Sequence, residues 1–178
     1  MAKLLYSATM SLDGFIAGPG GDMSWLTEYL GPNPALDAHV ADIGALLVGN
    51  RTFGGDDPNR GTDKEGAYEG AWTGPQFVLT HRPPAEPVAG VTFVTDLDQG
   101  LRAAQDAAGD KYVSILGASV AHQCLDAGVL DEILVCIAPV LLGDGTRLFD
   151  RPGGANVKLE RISLTHAPLA TNVWFRVL

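Results

Sequence analysis

Three short stretches carry residues whose types and spacing suit a phosphate-bearing ligand. Ile115 to Ala121 runs from an apolar, β-rich segment into the small residues Gly117, Ala118 and Ser119 before Val120. Small residues there let a phosphate reach the backbone, and the free N–H groups and dipole of a following helix start attract negative charge. The stretch lacks a full GxGxxG, and a tight packed turn would read the same way. Leu47 to Phe53 repeats the plan, with Gly49 followed by Asn50, Arg51 and Thr52. Arg51 and Thr52 could clamp a phosphate through charge-assisted bonds, although a solvated surface arginine is the commoner case. The third stretch, Gln76 to Thr80, leads into His81 and Arg82. Three apolar runs ending in phosphate-compatible groups point to one ligand across the carboxyl ends of a sheet.

The elements that must hold these turns follow from apolar runs alternating with helical patterns, which favours an α/β architecture. Lys3 to Ser11 reads as a first strand closed by the turn-prone pair Asp13-Gly14, Asp37 to Ile43 as a helix, and Ala45 to Gly49 as a short buried strand. Residues 54 to 75 show no periodicity and a high density of Gly, Pro and charge. A loop of that length inside a compact domain is mobile or functional. Gln76 to Thr80 and Val91 to Val94 follow as strands. Leu97, Leu101, Ala104 and Ala108 place an apolar stripe on one helix face, with Gly109 as the stop. Tyr112 to Leu116 is a buried strand, Ala118 to Ala127 a helix, Ile133 to Val140 an apolar strand, and two strands near Val157 to His166 and Asn172 to Val177 finish the chain. About eight strands and four helices in one domain spanning 1–178 are expected, in a mixed, mostly parallel sheet with an antiparallel edge.

At 178 residues the chain is long enough to bury roughly 70% of its unfolded surface in one core. With 12 Lys and Arg against 21 Asp and Glu, the net charge is −9. That balance argues against nucleic acid as a partner, because such binding draws on Lys and Arg at phosphates. A small anionic ligand needs only a local cluster. Cys124 and Cys136 lie in apolar contexts with no CxxC, and His39, His81, His122 and His166 are scattered without HxxH or HExxH spacing, so no metal site is expected. Residues 1–5 open directly into a strand pattern, and no apolar run approaches the ~20 residues of a membrane helix. A cytoplasmic protein with no membrane partner is the expectation.

In chain order, SLDGFIAGPGGDMSWL (11–26), LLVGNRTF (46–53), FVLTHRPP (77–84), ILGASVA (115–121), VLDEI (129–133) and PVLLGDGTRLF (139–149) resemble the dihydrofolate-reductase-like superfamily. The branch they match is the reductase domain of the bifunctional riboflavin-biosynthesis deaminase-reductase. PVLLGDGTRLF together with SLDG is the most specific pair, and dihydrofolate reductase itself lacks the former. The zinc deaminase signature, HxE followed by PCxxC, is absent. The resemblance implies a three-layer dihydrofolate-reductase-like fold, NADPH as cofactor and a homodimer formed through Ile133 to Val140 and PVLLGDGTRLF. It implies that Thr9 and Ile16 flank the nicotinamide, that Gly49, Asn50, Arg51 and Thr52 hold pyrophosphate or adenosine phosphates, that Thr80, His81 and Arg82 line the adenosine end, and that Gly117 to Val120 hold the pyrophosphate. Two departures stand out. Asn50 occupies the place after Gly49 where the family usually has Arg, and Ala118 replaces the second of its paired glycines.

The substrate end is less defined. Folate reduction needs a buried carboxylate on the first helix to bond the pterin ring. Glu28 and then Asp37 are the nearest candidates, each also readable as a surface or cap residue. Asp13 sits beside the site but suits a turn, and Trp25 could stack on a flat heterocycle or fill the core. The expected activity is hydride transfer from NADPH to a C=N or C=O bond of a small heterocycle or its ring-opened ribityl product. Folate-type reduction, a non-catalytic nucleotide-binding module of the same fold, and a deazaflavin donor are the alternatives.

Overall fold

The computed structural model describes all 178 residues. Its centre is β1 (Leu4–Ser11), whose alternation sends Leu4, Tyr6, Ala8 and Met10 into the main apolar cluster and leaves Leu5, Ser7, Thr9 and Ser11 to the opposite face. Eight strands form one sheet in the order β5-β4-β3-β6-β1-β7-β10-β9: β3 (Ile43–Gly49), β4 (Gln76–Leu79), β5 (Val91–Val94), β6 (Tyr112–Leu116), β7 (Glu132–Ala138), β9 (Leu159–Ala167) and β10 (Ala170–Val177). The pairings from β5 to β7 are parallel, and β10 runs antiparallel to both β7 and β9. A separate two-stranded ribbon joins β2 (Phe15–Ala17) to β8 (Thr146–Arg147).

Four α-helices complete the layers: α1 (Pro34–Val40), α2 (Asn50–Phe53), α3 (Leu97–Ala108) and α4 (Ala118–Asp126). The predicted stripe of α3 is the buried one, since Leu101, Ala104 and Ala108 lie in the main cluster with Leu97 packed against it. Asp96 caps this helix, its carboxylate accepting from Gln99 N at 2.9 Å. Gly44 lies where α3 ends against β3, and a β-carbon there would meet Ala108 O at 2.6 Å. The other face carries α1 and the long loop 54–75, from which Ala67, Tyr68 and Trp72 pack on Ile43, Leu46, Val48 and Val78.

Most expected elements fall within two residues of their places, and 54–75 contains no helix or strand. One expectation is corrected and one element is new. The first helix is Pro34–Val40 rather than Asp37 to Ile43, because Pro34 suits the first helical turn and β-branched Ile43 opens the apolar run of β3. The ribbon β2–β8 was not anticipated. Of the segments expected to form a dimer surface, β7 lies between β1 and β10 with all but Ile137 of its residues buried, whereas Leu141 of PVLLGDGTRLF is exposed.

Candidate functional site at the carboxyl ends of the parallel strands

β3 is followed in sequence by a strand on one side of the sheet, β4, whereas β6 is followed by one on the other, β7. Adjacent parallel strands whose chains leave in opposite directions open a crevice at their carboxyl ends, where ligands of α/β sheets bind. The two phosphate-compatible turns stand at that crevice. Gly49 ends β3 and Gly117 follows β6, and both α2 and α4 start without a side-chain cap, leaving the first N–H groups of α4 unpartnered within the helix.

The turns meet. Gly117 has φ 102°, and a β-carbon on it would run into Thr52 Oγ1. One on Gly49 would lie 3.3 Å from Val120 Cγ2. Of the residues around them, Asn50, Arg51, Thr52 and Ser119 are exposed, Ala118 is half-buried, and Val120 is buried, so Val120 can offer only its backbone. The third turn is alongside, because Leu79 pairs with Gly49 across β3 and β4. Thr80 is buried and its hydroxyl accepts from Arg82 N at 3.2 Å, which shapes the turn that carries exposed His81 and Arg82. Thr9 is half-buried on β1, and Ile16 is half-buried in β2.

Asp13 does something the sequence did not specify. Its Oδ1 accepts from Ser11 Oγ at 2.6 Å and Leu142 N at 3.0 Å, and its Oδ2 from Gly143 N at 2.7 Å. These bonds, the Ser11 hydroxyl foremost, hold the carboxyl down at about 2. The SLDG turn and the PVLLGDGTRLF segment are thus clasped by one side chain, with Arg147 stacked 4.5 Å over Phe15 beside it. Both oxygens of this carboxylate, read as a turn-former beside the substrate end, are engaged by protein donors.

The other substrate-end candidates are not gathered together. Glu28 is exposed on a 3-10 turn, Ser24–Tyr29. Asp37 is exposed on α1 beside Ile43 and Lys111, around a depression at the amino-terminal end of β3 and β6. That is the far edge from the crevice, so Asp37 is withdrawn as a catalytic candidate. Trp25 lies on the same turn as Glu28, half-buried, with its indole Nε1 sealed from solvent and without a partner.

Sequence reasoning missed a set of neutral polar groups on the β1 face that carries Thr9. Asn33, at the head of α1, and Asn172 exchange amide hydrogen bonds of 2.9 and 2.8 Å, and Asn172 also donates to Thr165 Oγ1 at 3.1 Å. Cys136 lies next to them, its thiol pushed up to about 11 by burial. The Tyr68 and Ser114 hydroxyls are 2.6 Å apart, and Ser7 and Ser114 are buried in central strands. Serines inside otherwise apolar strands were the available signal.

The fold and this crevice define a protein of the dihydrofolate-reductase-like class. The chain belongs to the RibD C-terminal domain family, whose model matches residues 2–169. A solved relative, a Shewanella sp. PV-4 protein ascribed to riboflavin biosynthesis, superposes with TM-score 0.78 at 22% identity, covering 100% of this chain and 99% of its own. The Thermotoga maritima diaminohydroxyphosphoribosylaminopyrimidine deaminase/5-amino-6-(5-phosphoribosylamino)uracil reductase gives 0.68 at 18%, covering 99% of this chain and 57% of that one. Enterococcus faecalis dihydrofolate reductase, solved with NADP(H), gives 0.65 at 16%, covering 98% and 96%. In sequence, the uncharacterized protein YyaP of Bacillus subtilis (strain 168) is 25% identical over 157 residues, 83% of this chain and 80% of that protein.

Proposed function

We propose that this protein is an NADPH-dependent reductase that delivers hydride to a C=N or C=O bond of a small flat heterocycle or of its ring-opened ribosyl chain, giving the ribityl product, with 5-amino-6-(5-phosphoribosylamino)uracil as the model acceptor. The observation that carries the reading is the meeting of the Gly49–Thr52 and Gly117–Val120 turns at the carboxyl ends of β3 and β6, packed so closely that only a glycine fits at 117 against Thr52 Oγ1, with the first N–H groups of α4 left uncapped beside them. A pyrophosphate needs such close backbone approach. In this reading Gly117, Ala118, Ser119 and Val120 offer backbone N–H groups to it. Asn50, Arg51 and Thr52 reach adenosine phosphates from one side, and Thr80, His81 and Arg82 from the other. Thr9 and Ile16 flank the nicotinamide, and the Trp25 indole N–H, sealed without a partner, offers a donor to the heterocycle. NADPH supplies the hydride, while the protein supplies orientation and a water-poor site.

Folate-type reduction is the weaker reading. Glu28 is exposed and Asp37 is at the wrong edge of the sheet, while the buried head of α1 holds the amide of Asn33 rather than a carboxylate. The test is a binding titration with NADPH, NADH and reduced deazaflavin, followed by turnover of the phosphoribosylaminouracil and of dihydrofolate with the tightest donor. NADPH preference with turnover of the uracil compound supports the proposal, and deazaflavin preference or turnover of dihydrofolate alone contradicts it.

A further inference from the structure

Ser7 and Ser114 are hydroxyls on adjacent central strands, where Leu4, Leu5, Tyr6, Val113 and Ile115 around them are at most 1% exposed. The register places Ser114 opposite Leu5, so both serines sit on the face away from α3 and α4. The chain reaches down to them from loop 54–75. Tyr68 brings its hydroxyl within 2.6 Å of Ser114 Oγ and within reach of Ser7. It does so from a left-handed backbone: Tyr68 and Glu69, at φ 55° and 54°, are the only non-glycine residues with positive φ. Such conformations persist where surrounding contacts enforce them, and they cluster at functional sites. Trp72 pins the same loop separately, donating to Ile43 O at 3.2 Å.

Thr9 lies two residues beyond Ser7 on the same face of β1, about 6.6 Å along an extended strand, a span that a six-membered ring and one hydrogen bond from its edge together fill. An acceptor ring over Thr9 would therefore have the Tyr68 hydroxyl at its edge. Of the carboxylates nearby, Glu28 is exposed, Asp37 is at the far edge, Asp13 is engaged by three internal donors, and buried Glu132, opposite Leu5, is engaged by Lys3 Nζ, the Tyr112 hydroxyl and Trp174 Nε1. We propose that the Tyr68 hydroxyl gives the proton to the acceptor heteroatom as hydride reaches its carbon, an inference that rests on the reductase reading above.

As the carbon of a C=N bond takes hydride, the displaced π pair passes to nitrogen, and Tyr68 transfers its proton there. The resulting phenolate is held by the Ser114 and Ser7 hydroxyls and recovers a proton from water when product leaves. The acceptor gains two electrons, one hydrogen from the cofactor and one from Tyr68, and NADPH becomes NADP⁺. Burial raises the Tyr68 pKa, which keeps the proton in place at neutral pH. A nitrogen anion is far more basic than a phenolate, so the transfer is still downhill.

The experiment compares wild type, Tyr68→Phe, Tyr68→Phe/Ser114→Ala and Trp72→Phe, each checked by circular dichroism. Removing both hydroxyls in the double variant spares Ser114 an unpartnered hydroxyl and leaves only Ser7 without its Tyr68 contact, so it tolerates the change better than the single variant. Each is titrated with NADPH by fluorescence and assayed for NADPH oxidation with 5-amino-6-(5-phosphoribosylamino)uracil in H₂O and D₂O. The expectation for both Tyr68 variants is unchanged NADPH affinity, KM within about threefold, and kcat lower by roughly a hundredfold with an altered solvent isotope effect, while Trp72→Phe keeps kcat. An unchanged kcat in folded Tyr68 variants overturns the proposal, as does an equal loss in Trp72→Phe, which would assign the effect to loop anchoring. Wild-type protein that binds NADPH but leaves the uracil compound unreduced overturns the acceptor assignment itself, and the role of Tyr68 with it.

Discussion

Asp13 Oδ2 accepts a hydrogen bond from the backbone N–H of Gly143 at 2.7 Å, joining two turns 130 residues apart. The carboxyl is held at about 2, below its ordinary value, so its contribution is fully present above the unfolded carboxylate range and lost as pH falls through about 2. Asp13→Ala should release residues 139–149 without unfolding the sheet. Hydrogen exchange at Leu142 and Gly143 should speed up in the variant at neutral pH, and no change at those amides would show that the clasp is redundant.

Tyr6 is fully buried, its ring edge-on to Phe149 at 5.5 Å, and its hydroxyl has no partner. Tyr6→Phe keeps the ring contact and removes an unsatisfied polar group. The variant should therefore be more stable by about 1 kcal/mol, read as a higher urea midpoint with unchanged slope. A clear loss of stability would mean that the hydroxyl is satisfied in solution.

His39 is 3% exposed, wedged between Tyr112 at 5.2 Å and Trp174 at 4.7 Å, with neither ring nitrogen hydrogen-bonded. Burial lowers its pKa below 6.5, partly offset by Asp42 and Glu132. The folded state thus binds the proton less readily than the unfolded one. Its stabilising effect is complete above about pH 6.5 and lost as pH falls through the folded value. Denaturant midpoints measured from pH 7 down to 5 should fall for wild type and flatten for His39→Leu. Equal slopes in the two proteins would remove His39 as the cause.

Arg51 and Arg82 are exposed cations at the ends of β3 and β4, on an acidic chain, and neither forms a salt bridge. If they read the 2′-phosphate, Arg51→Ala or Arg82→Ala should cost about 1.5–3 kcal/mol in NADPH affinity and little in NADH affinity. An unchanged ratio in both variants would separate these arginines from cofactor choice.

A homodimer is the expected assembly. Among the exposed apolar residues, Leu141 lies in the PVLLGDGTRLF segment, and Leu159, Ile162 and Leu164 lie together on the edge strand β9. Light scattering at micromolar concentration should give twice the chain mass, and Leu164→Lys should shift it toward monomer. A monomeric wild type would contradict the expectation.

The sheet was readable because its strands are short, apolar and punctuated by Gly, and α3 because its stripe has helical spacing. What escaped was set by contacts distant in sequence. The ribbon β2–β8 has only three and two residues and exists because Asp13 and Arg147 bring two glycine-rich turns together. Asp37 looked eligible because nothing local reveals that α1 points it to the amino-terminal edge. The three phosphate-compatible turns were visible as strand ends followed by small or cationic residues, yet their adjacency depends on strand order. The length of loop 54–75 marked it as mobile or functional, but nothing in its sequence singled out Tyr68.

The Gly117–Val120 turn can be probed without disturbing its geometry. Replacing Gly117 is a poor probe, because φ 102° and the Thr52 contact would damage the turn itself. Ser119 is exposed in the first turn of α4, where a carboxylate favours the helix but repels a bound pyrophosphate. The measurement is a fluorescence titration of NADPH against wild type and Ser119→Asp, with thermal melts alongside. The account predicts saturable binding by wild type, an affinity at least about tenfold weaker in the variant, equivalent to about 1.4 kcal/mol, and a melting temperature unchanged or raised. Equal NADPH affinity in a folded Ser119→Asp protein, or no binding by wild type, would contradict the placement of the cofactor at this turn.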